Sequence, residues 1–531
     1  MPAKLIRPVL LLYGLLNSAL YSSLLPLWEG FDEEFHYGYV QYLVAHHRFP
    51  VLSQTGLSEE INRSIGLLPM SHVMIDNLHL KGVLTFDRYF ALPSLERHQR
   101  YQEAHRLVPG LADSESDTYY SNYEVHHAPL AYLLMAVPEQ LLRPVPLPRR
   151  VWLLRLLASL ACVLLMYRGV LGLAAEASLR PAFSSALLFL IFSCQMFWAT
   201  IAHIGNDWLA VPLAVWLIVW TLRCHHTPNP RSLTWLASIL ALGLLSKAYF
   251  LVFVPLYLVA LAALYWRGSL PARGLALCLA LPALLAGPWY LRNIIVYGNL
   301  SGRLEESSGV SLGAALTSLA SIPWLRSLPF MARGAIWMGN SSFTDFSVHT
   351  MNVVLASLAI ALLAYCWTLP RRSVCDAVLW APVLLFCAAM IYVTGSSYSF
   401  TKGLATAASP WYLQAVMAPL LCLALLGCQR VGRPGRWLAA FAVLLWGYIL
   451  AATYVAKLFP LYGGFAGGRS TLREIAHWYL TDWTHTADIL DTTALLPASC
   501  LAVLLAATLL TLLTILTILL RQLSFGADHQ K

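Results

Sequence analysis

Apolar stretches of about twenty residues recur along most of the chain, separated by short polar connections. About 20 predominantly apolar residues suffice to span the hydrocarbon core of a bilayer as a helix, so the pattern predicts an all-α, polytopic membrane protein. The clearest runs are Val9 to Leu25 and Ala498 to Leu520. Further spans are predicted near 151–170, 182–202, 208–223, 274–291, 350–368, 377–394, 412–428 and 437–456. The stretch 232–266 is apolar for 35 residues, basic at both ends and broken by Ser246-Lys247. It reads as two passes, with Lys247 at the outer turn of a tight helical hairpin. The expected total is about twelve spans.

Charge gives this bundle a direction. Lys4 and Arg7 precede the first run, which reads as a retained signal anchor with a cytoplasmic N-terminus. The short connections carry Arg223 and Arg231, Arg267 and Arg273, Arg371 and Arg372, and Arg430, Arg433 and Arg436. Basic short loops face the cytoplasm. The long segments 26–150, 292–347 and 457–497 then fall outside, and both termini inside. Of the acidic residues, only Glu176, Asp376 and Asp528 are placed on the inner side. His127 to Leu142 is short for a span and contains Pro138 and Glu139. It is expected to lie on the membrane as an interfacial helix; a true span there would invert everything downstream. The chain divides into a transmembrane module, 1–456, and a final loop, helix and tail, 457–531.

Composition agrees with this reading. Of 531 residues, 58% are hydrophobic and 11% charged, against about a quarter charged in soluble domains. The net charge of +9 is spread over short loops, with no basic patch interleaved with aromatics on a soluble module, so nucleic acid is not an expected partner. The ten cysteines lie in apolar runs or at their edges, without a CxxC pair, so neither a disulfide framework nor a cysteine metal site is expected. Asn62, Asn299 and Asn340 begin glycosylation sequons in the long loops.

Candidate chemistry concentrates after the first span, where Glu29, Asp32, Glu33, Glu34 and His36 follow one another at the membrane surface. A helix over 33–45 would be capped by Asp32, with His36 on the same face. The plain alternative is a solvated helix start. Lys247 and Arg292 fall at outer ends of spans, where each either meets a lipid phosphate or snorkels to the interface. His126 and His127 add to His36, His46 and His47 in the same loop, yet zinc requires three or four converging ligands. Asn206 and Asp207 form a short turn, readable as a cap on the span that follows.

The segment FDEEFHYGYVQYLVAHHRFPVL resembles the first outer loop of the C-type (GT-C) membrane glycosyltransferases, which include protein O-mannosyltransferases and lipid A aminoarabinose transferases. HAPLAYLL at 127–134 resembles their HPPLYYLL segment, with Ala128 replacing a proline. Gly205-Asn206-Asp207 resembles their acidic second outer loop, LLSKAYFLVFVP at 244–255 their lysine-bearing turn, and GPWYLRNIIVYGN at 287–299 a PW..RN....G segment. These matches run in order through the first 300 residues or so. In the C-terminal half, SPWYLQAVMAP at 409–419 stands where many relatives carry GRYLLP, so the arginine is missing. The resemblance implies transfer of a sugar from a polyprenyl-phosphate-linked donor to a glycan, lipid or protein acceptor on the outer face of the cytoplasmic membrane. It implies Asp32 as base, with Glu33 orienting it or binding the acceptor. Lys247 and Arg292 would bind the donor phosphate, and His36, His126, His127, Asn206 and Asp207 would contact donor or acceptor. No cofactor is firmly implied, although a divalent metal held by Asp207 and Asn206 together with Asp32 or Glu33 fits the oligosaccharyltransferase-like members. Trp337, Trp478 and Trp483 would stack on sugar rings or anchor at the interface. The rivals are a transporter or lipid-linked-sugar flippase, against which no inverted repeat is found, and a related subunit without catalysis.

Overall fold

The computed structural model describes residues 3–107, 121–368, 373–465 and 471–525; Arg371, Arg372 and Asp528 lie outside the described residues. Among those described there is no β-sheet, only the isolated bridges Gly56–Ser121 and Met70–Thr85. The chain opens with α1 (Ala3–Leu24), the short α2 (Glu33–His46), a set of small loop helices, and α3 (Leu130–Leu142). There follow α4 (Leu147–Glu176), α5 (Pro181–Phe192), α6 (Gln195–Ile201), α7 (Asp207–His226), α8 (Pro230–Ser246), α9 (Val254–Trp266) and α10 (Ala272–Tyr297). The second half holds α11 (Val348–Trp367), α12 (Val374–Phe400), α13 (Gln414–Val431), α14 (Arg433–Ala452) and α15 (Ala498–Phe525).

Each of the twelve predicted spans falls on a helix. Among the described residues nine helices are long and apolar enough to cross a membrane, and the bent pair α5–α6, angled at 58°, adds a tenth. The chain is a polytopic integral membrane protein. The other two spans fall short for identifiable reasons. Helix α8 has 17 residues because Lys247 takes an extended conformation and a 3-10 turn, Ala248–Phe253, intervenes before α9. Helix α1 carries Asn17, Ser18, Ser22 and Ser23, all buried. Ser18 meets Ser159 of α4 at 2.6 Å, and Tyr454 donates to Asn17 at 2.9 Å. Its polar stripe faces protein, so its average composition understates its fit to the bilayer.

Local signals set several boundaries. Asn229 caps α8 in a reciprocal box with Ser232, and Ser373 caps α12 with Asp376; each satisfies backbone N–H groups that the first turn leaves unpaired. Gly298 ends α10 at φ 72°, a left-handed conformation that glycine adopts without strain. Helix α3 has 13 residues, about 20 Å at 1.5 Å per residue, too short to span. It exposes Leu133, Leu134, Val137 and Leu141 and buries Glu139, as an interfacial helix with one packed face does. The spans pack α4 on α7, α7 on α8, α8 on α10, α11 on α13 and α1 on α15.

Two buried arginines of α4 fasten the polar segment 26–142 to the bundle. Arg155 donates from Nε to Glu33 Oε1 at 2.7 Å, from Nη2 to Glu33 Oε2, and from Nη1 to the Leu25 carbonyl at 2.6 Å. Arg150 bridges Glu139 at 2.8 Å and Glu60, and Tyr37 also donates to Glu139. Both guanidinium groups are fully buried, which is tolerable only because each is paired and hydrogen-bonded.

Candidate active site

The candidate site lies where the α1–α2 connection, the turn before α3, the α6–α7 turn and the α8–α9 break meet. Asp32 holds the N-cap position of α2, but in a left-handed conformation (φ 53°) and without a side-chain cap bond. The expected capping role is therefore corrected. The carboxylate is instead turned to Tyr123, whose hydroxyl donates to Oδ1 at 2.5 Å. Loss of water pushes Asp32 up to about 7; nearby Glu124 adds to the rise, while Tyr123 and Lys247 oppose it.

Tyr123 to His126 form a 3-10 turn. Glu124 is buried, with Oε2 at 2.6 Å from His127 Nε2 and 3.8 Å from His36 Nε2. Tyr132 of α3 meets His36 Nδ1 at 2.8 Å. The rings of His126 and His127 lie 4.2 Å apart, and those of His36 and His127 5.8 Å apart. On the opposite wall, Lys247 Nζ donates to Asp207 Oδ2 at 2.6 Å and lies 5.0 Å above the Tyr412 ring. Lys247 acts electrostatically on Asp32, His36, Glu124 and His127 alike, so acidic segment and lysine share one cluster. Gly30 is needed for this convergence. A Cβ there would lie 2.4 Å from His203 Cβ, so only glycine lets the α6–α7 turn close on the Asp32 segment.

Other sequence candidates sit differently. Glu33 has both oxygens on Arg155, and Oε1 also accepts from Ile204 N at 2.9 Å; it is fully buried and has no hydrogen bond to Asp32 among the described contacts. Among the described residues Arg292 has no ion pair with a carboxylate. It donates to the Pro50 carbonyl at 2.8 Å and stacks on Trp289 at 4.7 Å. Asn206 is fully buried, with neither amide atom hydrogen-bonded. Trp337 donates to Thr453 inside the core, and Trp478 is buried, so the expected sugar stacking by these two is corrected to packing. Asn340 is buried between Tyr21 and Tyr462, which removes its sequon from reach. For a metal, the donors do not fit: Glu33 is held by Arg155 and Asp207 by Lys247. Among the described residues no three His, Cys, Asp or Glu side chains are arranged to hold an ion.

Several participants were not anticipated. Tyr123 and Glu124 sit immediately before the His126–His127 pair, and that adjacency was the available signal. Trp411 stacks on Phe31 at 4.3 Å, while its neighbour Tyr412 covers Lys247. The segment without the arginine thus enters the site through two aromatic rings. Arg303, paired to Glu305 at 2.6 Å, acts electrostatically on His127.

In comparisons with known proteins, no family and no curated sequence matches. Among solved structures, ArnT from Cupriavidus metallidurans bound to undecaprenyl phosphate is similar at 12% identity and TM-score 0.46, over 98% of this chain and 77% of that one. The Archaeoglobus fulgidus oligosaccharyltransferase in the apo form is similar at 13% identity and TM-score 0.46, over 90% and 58%. AglB from the same organism, with an inhibitory peptide and a dolichol-phosphate, is similar at 15% identity and TM-score 0.39, over 88% and 57%. This chain spans less than two thirds of those two archaeal chains.

Proposed function

We propose that this chain transfers a sugar from a polyprenyl-phosphate-linked donor to an acceptor hydroxyl, on a glycan, lipid or protein, outside the cytoplasmic membrane. The observation that carries the reading is the meeting of Asp32, a carboxylate tuned near neutrality and oriented by Tyr123, with Lys247 in one cluster bordered by membrane spans. A base must accept the acceptor proton as the oxygen attacks the anomeric carbon, and its pKa is best matched near the working pH. Asp32 meets that requirement. The acceptor oxygen bonds to the anomeric carbon, the bond from that carbon to the phosphate oxygen breaks, and the electron pair leaves with the phosphate. Lys247, pinned by Asp207, offers its remaining N–H donors to the phosphate as charge develops there. A single displacement inverts the anomeric centre. Glu33 acts through Arg155 by fixing the segment that carries Asp32. Arg292, set apart on Pro50, serves the lipid side of the entrance. No step is routed through a metal.

The test is transfer in liposomes containing the purified chain, radiolabelled polyprenyl-phosphate sugar and a membrane-extract acceptor. The intact chain should form labelled product, and Asp32→Asn should form none while eluting and melting like the parent. Full activity of Asp32→Asn would remove Asp32 as base. Leaflet exchange of the lipid without product would replace the transferase reading by the flippase.

A further inference from the structure

His127 has one ring nitrogen occupied and one idle. Nε2 lies 2.6 Å from Glu124 Oε2, while Nδ1 is buried without a partner. The rings of His126 and His36 hold the imidazole in place. The charges acting on it are Lys247 first, then Asp207 and Arg303, and Lys247 is the group assigned above to the phosphate. In native structures a buried polar atom without a partner calls for a specific explanation. We propose, resting on the lipid-phosphate reading above, that His127 Nδ1–H donates a hydrogen bond to a phosphate oxygen of the lipid donor beside Lys247, and that Glu124 decides whether it can.

The decision is a matter of tautomer, since the proton on one ring nitrogen is set by the partner of the other. When Glu124 is protonated, its O–H donates to Nε2 and the ring proton resides on Nδ1, facing the phosphate. When Glu124 is ionised, Nε2–H donates to the carboxylate and Nδ1 turns a lone pair on the phosphate, which repels it. Burial pushes Glu124 up and His127 down to about 3, so the ring stays neutral while the carboxyl titrates. Glu124 is faced by Asp32 and His36 from the α2 side and by His126 and His127 on its own turn. Asp207 and Lys247 face it from the spans, and Glu305 from the loop after α10. His126 and Lys247 favour the ionised form; Asp207, Glu305 and burial oppose it. Donor affinity therefore falls as pH rises through the Glu124 titration.

The probe is farnesyl methyl phosphate, a diester that keeps one negative charge, whereas a monoester would itself titrate with a pKa of about 6. Its Kd is measured on the full chain in detergent across neutral pH. The intact chain should bind more weakly as pH rises. His127→Phe, which keeps the ring contacts, should bind about tenfold more weakly at the acid end and show a flat profile, the worth of one hydrogen bond to a charged group. Glu124→Gln sets a non-titrating amide against Nε2, able to donate through its N–H or accept through its carbonyl, so the tautomer no longer changes with pH. Its affinity should lose the parental pH slope, although Asp32 still titrates. Binding by His127→Phe equal to the parent, or a parental pH slope in Glu124→Gln, would overturn the proposal. If His127→Phe does not fold, the Glu124→Gln slope decides alone. Failure of the intact chain to bind the diester at any pH would instead overturn the lipid-phosphate reading itself.

Discussion

The behaviour of Asp32 depends on one phenol and on the absence of water. Tyr123 holds its carboxylate down while burial and Glu124 hold it up. A base works when ionised, so turnover should rise with pH through about 7. Tyr123→Phe removes a side-chain hydrogen bond that lowers this group, so the acid limb of the pH–rate profile should move to higher pH, with a lower maximum. An unchanged limb would disconnect Asp32 from the rate. At this scale the sequence was partly legible. Asp32 and Lys247 stood out as charges beside apolar runs, and the structure places both in the cluster. Glu33 stood out for the same reason, yet its carboxylate belongs to Arg155, 122 residues away. Nothing local in the sequence announces such a pairing, and Tyr412 went unseen because its meaning depends on Lys247.

Among the elements, α4 is both a span and a clamp. Arg155→Met would leave Glu33 buried without its ion-pair partner, a loss of about 3–5 kcal/mol. Thermal unfolding in detergent should show that loss, and Glu33→Gln/Arg155→Met should recover part of it, because the double change removes both charges. If the single and double variants melt alike, the pair is not the fastening described. The spans were legible because twenty apolar residues have few other solutions. Arg150 and Arg155 are charges within a span, and the structure shows why they are allowed: Glu33, Glu60 and Glu139 neutralise them inside the fold. The polar stripe of α1 and the break after α8 were obscured for the opposite reason. Composition averages over a helix, whereas pairing depends on one face of it.

Across the whole molecule, the two ends of the chain meet beside the site. Leu495 N donates to the Ser23 carbonyl at 2.9 Å, Tyr89 donates to the Thr492 carbonyl, and Arg97 pairs with Asp488. The boundary drawn at 456 falls within a helical run continuous over Arg433–Tyr462, through a π-helical turn at Thr453–Leu458. A chain ending at 456 would strip Tyr462 from both Glu29 and Asn340. It should accumulate poorly and elute as aggregate, as size-exclusion chromatography of the solubilised fragment would show.

The small knot of Tyr21, Asn340, Tyr462 and Glu29 also sets a timetable for synthesis. Glu29 is made almost at once, three residues ahead of Asp32, but its donors come late: the N–H and hydroxyl of Ser342 first, and the Tyr462 hydroxyl only after more than four hundred further residues. Until then the acidic segment lacks the contacts that hold it in the finished chain.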